Sequence, residues 1–252
     1  MRKRLLMGAV GGLSLSWGAA TASALVVADY QADFTYPVPS NGWSYHWNAN
    51  GAIGNPANYV SLVPDAAGRY ETVDQTPDAF PDPTPGSSLS ITNTTLIPGQ
   101  GSAQNDFERS VIVAYTVSAE DIAAAGGNQL RLEEWSFAVG ASTNINADGV
   151  TARIYKNDNA MPFVEADLPP GIVFDHNIPD PNGGAIPLGP FNAGDVLYIA
   201  VGSDGIASEL TGGNDTDDTL VMNLKIALVP EPATASIIGA AALALLMRRR
   251  PH

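Results

Sequence analysis

The chain predicts an all-β protein: a two-sheet antiparallel β-sandwich with one short helix, flanked by an N-terminal signal and a C-terminal transmembrane helix. Three observations predict it. Residues 25–228 consist of short alternating apolar runs broken by Gly, Pro, Asn and Asp, with no dominant helical period. The first two dozen residues have the parts of a secretory signal, and the last two dozen end in an apolar run followed by three arginines.

At the start, Met1-Arg2-Lys3-Arg4 is basic, Leu5 to Trp17 is a short apolar run, and Ala22-Ser23-Ala24 is a small-x-small cleavage site. Residues 1–24 are therefore expected to be a signal peptide cut after Ala24. A retained membrane helix is the competing reading. The shortness of the run and its polar Ser14 and Ser16 count against it.

Residues 25–228 are expected to form one β-sandwich domain, long enough to bury a core without disulfides. Strands are predicted at Ser110–Val117, Leu130–Val139, Val150–Tyr155, Asp195–Val201 and Leu220–Leu228. In the last, Leu220, Met222, Leu224, Ile226 and Leu228 share one face while Asn223 and Lys225 take the other. Asp195–Val201 is apolar on both faces after its first residue, which predicts a central strand. One helix is predicted at Ser118–Ala125, capped by Ser118 with Asp121 three residues on and stopped by Gly126-Gly127. Thr76 to Pro85 holds four prolines and Met161 to Pro190 holds seven, so both stretches are expected to be exposed loops rather than interior strands.

The chain ends in Val229-Pro230-Glu231-Pro232, an apolar run at residues 233–247, then Arg248-Arg249-Arg250. As a helix, fifteen residues span about 22 Å, against a hydrocarbon core of about 30 Å. Such a helix suits a temporary hold better than a permanent anchor. The arginines are expected to stay on the cytoplasmic side. These three parts, in this order at the extreme C-terminus, closely resemble the PEP-CTERM sorting signal of Gram-negative bacteria. The resemblance implies that residues 229–252 are a sorting signal cut near the motif by a membrane-embedded protease, exosortase. It also implies a host that makes exopolysaccharide or biofilm matrix. Pro230 and Pro232 keep the motif extended and open to a protease. A plain, uncut anchor is the alternative.

A second resemblance runs from Asn41 to Ile226. "GWSYHWN", "ERSVIVAYTVS", "ADGVTARIYKND", "GDVLYIAVGSDG" and "DDTLVMNLKI" occur in an order that resembles jelly-roll modules of bacterial secreted proteins, similar to carbohydrate-binding modules. It implies a jelly roll and, as its extension, polysaccharide binding.

Charge and composition narrow the partners. Six of the twelve basic residues are Arg2, Lys3, Arg4 and Arg248 to Arg250, and all twenty-six acidic ones lie between these two clusters, so residues 25–247 carry a net charge of −20. That surface repels phosphate backbones, and nucleic acid is not expected as a partner. It suits a saline or calcium-containing exterior, or serves solubility alone. With no cysteine, thiol chemistry and thiolate metal sites are excluded.

Trp43, Tyr45 and Trp47 alternate and on a strand share one face. They are candidate glycan contacts, with Asn41, Asn48 and Asn50 as hydrogen-bonding neighbours; core filling is the other reading. Asp204, Asp215, Asp217 and Asp218 are candidate calcium ligands without EF-hand spacing, against a solvated turn as the alternative. No other cofactor is expected. Glu133 and Glu134, adjacent on a strand, are expected to point to opposite faces, with Glu134 on the register of Leu130 and Leu132. They therefore do not make the facing pair of a glycosidase. His46 and His176 are expected in polar, turn-rich surroundings. Arg109, Arg131 and Arg153 are expected in structural ion pairs, with the grip of an acidic sugar as the alternative. No Gly-x-Ser-x-Gly elbow is present.

The expectation is an exported, non-enzymatic cell-surface or extracellular-matrix protein, with exopolysaccharide binding as its extension and no catalytic residues. It passes transiently through the inner membrane of a Gram-negative-type bacterium before reaching the outer surface or matrix. The alternative is a secreted carbohydrate-active enzyme, a lyase or hydrolase, on the same scaffold.

Overall fold

A computed structural model describes residues 24–72, 89–99, 109–139, 149–158, 161–169, 171, 173–175, 185–202 and 219–230. In chain order the first strands are β1 (Leu25–Asp29), β2 (Trp43–Trp47), β3 (Val60–Ser61), β4 (Val63–Pro64), β5 (Tyr70–Glu71), β6 (Ser90–Ile91) and β7 (Thr95–Ile97). The long ones follow: β8 (Val111–Thr116), β9 (Gln129–Val139) and β10 (Val150–Lys156). Then come β11 (Val164–Leu168), β12 (Val173–Asp175), β13 (Ile186–Pro190), β14 (Val196–Gly202) and β15 (Leu220–Val229). Two short helices, α1 (Tyr30–Asp33) and α2 (Ala119–Ala125), connect strands.

The strands form two antiparallel sheets. Nine of the described strands make the larger, in the order β12-β9-β15-β7-β6-β5-β4, with β1 also paired to β15 and β13 to β9. The smaller runs β11-β10-β14-β8-β2-β3. Side-chain alternation along each strand sends one set of residues into a shared core. Leu220, Met222, Leu224, Ile226 and Leu228 of β15 are all fully buried there, as their spacing predicts. Opposite them lie Val111, Val113 and Tyr115 of β8, and Leu197, Ile199 and Val201 of β14. β14 sits between β10 and β8, and its outward Tyr198 and Ala200 belong to a second buried cluster, which accounts for its apolar residues on both faces.

An aromatic knot joins the first residues of the described chain to both sheets. Tyr30 lies edge-on to Trp43 at 5.5 Å, Trp43 leans on Tyr115 at 5.1 Å, and Tyr45 on Tyr70 at 4.6 Å. Phe34 touches both Tyr45 and Tyr70. Entry into β2 requires a left-handed turn at Asn41 (φ 54) and Gly42 (φ 81). A Cβ at Gly42 would stand 2.9 Å from the Thr116 carbonyl, so glycine is needed for space as well as conformation.

Helix α2 forms as its sequence predicts. The Ser118 hydroxyl accepts from the Asp121 N–H at 3.0 Å, and the Asp121 carboxylate accepts from the Ser118 N–H at 2.9 Å. Gly126 ends the helix at φ 67.

Two expectations are corrected. The Met161–Pro190 stretch contains strands β11, β12 and β13. They lie at sheet edges, where a missing N–H costs least, and Pro187 and Pro190 are within β13 itself. In β9, Glu133 and Glu134 do not point to opposite faces. The ladder pairs Lys225 with Glu134 and Ile226 with Leu132, so Glu133 is an extra, bulged residue. The bulge resets the alternation: Leu130 and Leu132 face the core before it, and Trp135, Phe137 and Val139 after it. Both carboxylates thus join the outer face, where Glu133 meets Arg131 at 2.6 Å and Glu134 meets Lys225 at 2.7 Å.

Candidate functional site

The alternation of β2 decides which residues it shows to solvent. Trp43, Tyr45 and Trp47 are 4%, 2% and 8% exposed and belong to the core. A sugar ring cannot stack on them without opening the sandwich, so the proposed glycan row is corrected to a structural one. Burial pushes the Tyr45 hydroxyl well above its ordinary pKa, and the neighbouring Tyr70 and Asp33 add to the effect. Asn48 is also buried, its side-chain oxygen accepting from the Ser110 N–H at 2.7 Å.

The other parity of β2, Ser44 and His46, lies on the outer face of the six-stranded sheet. His46 is not in a turn, as its sequence surroundings suggested. Its Nε2 is 2.9 Å from the Ser44 hydroxyl, and its Nδ1 is 3.4 Å from the hydroxyl of Ser61 on β3. Burial lowers its pKa, which favours the neutral ring. Following the register outward from His46 gives Ile112, Ala200, Arg153 and Glu165 on successive strands. Arg153 pairs with Glu165 at 2.8 Å, and the Thr151 hydroxyl donates to Asp167 at 2.9 Å.

Beside this polar row stands an aromatic one. Tyr155 and Tyr198 are register partners whose rings stack at 5.3 Å. Tyr59, from the loop that follows β2, meets Tyr198 edge-on at 5.5 Å and hydrogen-bonds to the Tyr155 hydroxyl. The Gly54 N–H donates to the Tyr59 oxygen at 2.7 Å. Ile53, Tyr59 and Val196 cover a second buried cluster made of Ile112, Ala114, Tyr155, Tyr198 and Ala200. The loop between β2 and β3 therefore roofs part of this sheet. Ser44, His46, Ser61, Arg153 and Glu165, all partly or fully exposed, form the polar margin of the roofed area.

Chemically, this margin can donate and accept hydrogen bonds. A serine–histidine nucleophile needs a third group that orients the ring and stabilises its charged form. Both described partners of His46 are neutral hydroxyls, and the Ser61 contact is long. Among the described residues, no three His, Asp or Glu side chains come together in a metal-binding group. The calcium candidates Asp204, Asp215, Asp217 and Asp218 lie outside the described residues, as do His176, Ala22, Glu231, Pro232 and Arg248 to Arg250. Ala24, Val229 and Pro230 are described; Leu25 pairs with Leu228, so these residues lie near one another beside the same end of the β1–β15 ladder. No helix among the described residues is long and apolar enough to cross a membrane.

Of the three arginines, Arg131 and Arg153 are in ion pairs, and Arg109 is buried at 7% exposure against Gly99. Sequence reasoning missed the tyrosine stack. Tyr155 and Tyr198 each follow or precede a core isoleucine, and only the strand register brings them together.

The chain matches no protein-family model, no curated protein and no solved structure.

Proposed function

We propose that this is an exported, non-enzymatic protein of the cell surface or extracellular matrix, sorted by an exosortase-type protease through its C-terminal motif. In this reading residues 1–24 are removed on export. Residues 233–247 then hold the chain in the inner membrane until the protease cuts near the Val229-Pro230-Glu231-Pro232 motif. The observation that carries it is the three-part tail itself, which adjoins the last described strand: Val229, the first residue of the motif, is also the last of β15. The other end agrees, because β1 begins at Leu25, next to the small-x-small site.

The sandwich is taken as a jelly roll. Its longer strands cross repeatedly between sheets, β8 to β9 to β10 and later β14 to β15, and β15 lies between β9 and β7. Polysaccharide contact, where it occurs, falls to the outer margin of the six-stranded sheet around Ser44, His46, Ser61 and Arg153, since the tryptophans are buried. For a lyase or hydrolase on this scaffold, Glu133 and Glu134 share the outer face, but each is held there by a cation.

Mass spectrometry of the exported product tests the sorting reading. The expected mature chain begins at Leu25 and lacks His252. Glu231→Ala, or deletion of Arg248 to Arg250, leaves uncut protein in the membrane fraction. Retention of His252 in the exported wild-type product would overturn the reading. A glycan-binding screen with and without calcium tests the extension.

A further inference from the structure

The ladder around the end of β15 bears directly on how its tail is removed. β15 pairs with β9 up to its last residue, Val229 opposite Gln129. On its other flank β1 pairs Leu25 with Leu228, Val26 with Ala227, Ala28 with Ile226 and Asp29 with Lys225. Residues 225–228 are therefore bonded on both sides, and Ile226, Ala227 and Leu228 are fully buried. Three residues, Pro230 to Pro232, separate this ladder from the apolar run at Ala233. Fully extended they reach about 10 Å, roughly one helix diameter.

A protease takes its substrate as an extended strand, commonly by adding a strand to its edge. The residues just before the motif are already extended, but with β1 docked neither edge is free. β1 is the weaker flank. Leu25 and Val26 are 41% and 47% exposed, and Ala28 is its one buried residue. Its register breaks between Val26 and Ala28, and among the described residues no strand pairs with its far edge. The anchor comes only after it, at Tyr30, which is fully buried and whose hydroxyl donates to the Thr92 carbonyl. Lifting residues 24–28 takes only the small Ala28 and the half-buried Val27 off the core, while Tyr30 stays anchored.

We propose that β1 gates removal of the tail: docked, it covers the one flank of β15 that a protease strand could reach, and lifted, it exposes that edge immediately before the cleavage motif. This rests on the sorting reading above and adds a control step to it. Cleavage then tracks the fraction of chains whose β1–β15 ladder is open.

The test uses the full-length precursor in its native host, followed by pulse–chase. The natural chain has no cysteine, so Val26→Cys with Ala227→Cys, on register partners within disulfide reach, gives one defined cross-link. The cross-linked precursor is expected to lose its tail at least roughly tenfold more slowly than wild type, and reductant restores the rate. A five-residue Gly/Ser insertion between Val229 and Pro230 supplies a ladder-free strand. It is expected to speed cleavage and to remove the effect of the cross-link. Equal rates for oxidised and reduced double variant, or for wild type and insertion, would overturn the gate while leaving sorting intact. Absence of cleavage in every chain, wild type included, would overturn the sorting reading and the gate with it.

Discussion

The Asp195 carboxylate meets the Lys156 ammonium at 2.6 Å, at the corner where the chain leaves the nine-stranded sheet and enters the six-stranded one. The same carboxylate accepts from the Asn192 N–H and the Asn157 side chain, at 2.7 and 2.9 Å. Lys156 also lies 4.7 Å from the centre of the Phe191 ring. Burial alone would raise the Asp195 pKa. The hydrogen bonds from Asn192, Lys156 and Asn157, with the Lys156 charge, prevail and hold it at about 2.

A depressed carboxylate pKa stabilises the fold above the unfolded value and loses that contribution as pH falls toward the folded one. Stability should therefore decline between about pH 4 and pH 2, by at most about 2 kcal/mol from this group. Asp195→Asn is expected to lower stability at pH 7 and to flatten that acid limb. Urea titrations at pH 7, 4 and 3 read both effects.

His46 should titrate below the ordinary histidine range, because burial disfavours its charged form. Its contribution is complete above the unfolded pKa of about 6.5 and is lost as pH falls through the interval down to the folded pKa. His46→Gln should abolish that mild-acid slope. The ring resonances of His46 in a proton NMR titration check the direction; a midpoint above the model-peptide value would contradict it.

Trp43→Ala is expected to cost about 3–5 kcal/mol, as loss of a large core aromatic does. Ser44→Ala, one residue away on the outer face, is expected to stay within about 0.5 kcal/mol. Denaturant midpoints for the two variants test the inward and outward assignment of β2. Similar small losses for both would mean that the tryptophan is not core.

Removing the Ser118 cap by Ser118→Ala should cost about 1 kcal/mol. Asp121→Ala should cost more, because that carboxylate also accepts from the Tyr115 hydroxyl at 2.8 Å. The Tyr115 hydroxyl would then lose a partner in a largely buried place. Thermal melts of the two variants give the order.

Deleting Glu133 should be tolerated, with a loss on the order of 1–2 kcal/mol. Without the bulged residue, Leu132 faces in, Glu134 out and Trp135 in, which is a regular strand. Deleting Ser136 should abolish folding, since it would put either Trp135 or Phe137 on the wrong face. Circular dichroism and melting of the two deletion variants distinguish them.

The long strands were legible because each carries its own alternation. β8, β9, β10, β14 and β15 start and end within about two residues of their expected positions, and α2 carries its own caps. The two-residue strands β3 to β6 were not legible. So short a run has no period, and its pairing partners lie elsewhere in the chain. β9 was legible as a strand but not as a bulged one, because Glu133 is extra only relative to β15. For the site, "WSYHW" established that Trp43, Tyr45 and Trp47 share a face. Which face was buried depended on β8, whose Val113 lies opposite Tyr45. The attractive aromatic set went inside, and the modest Ser44 and His46 went out.

The latest strand of the sandwich fills the middle of the larger sheet, between β9 on one side and β7 and β1 on the other. A chain made from its N-terminus holds that slot vacant until residue 229 has emerged. The six-stranded sheet needs nothing from β15, but β1, β7 and β9 wait for it, so this long-range pairing of the larger sheet comes last. The larger sheet of such a polypeptide is therefore sealed only by the last strand to be made, and until then β9 lacks its longest partner.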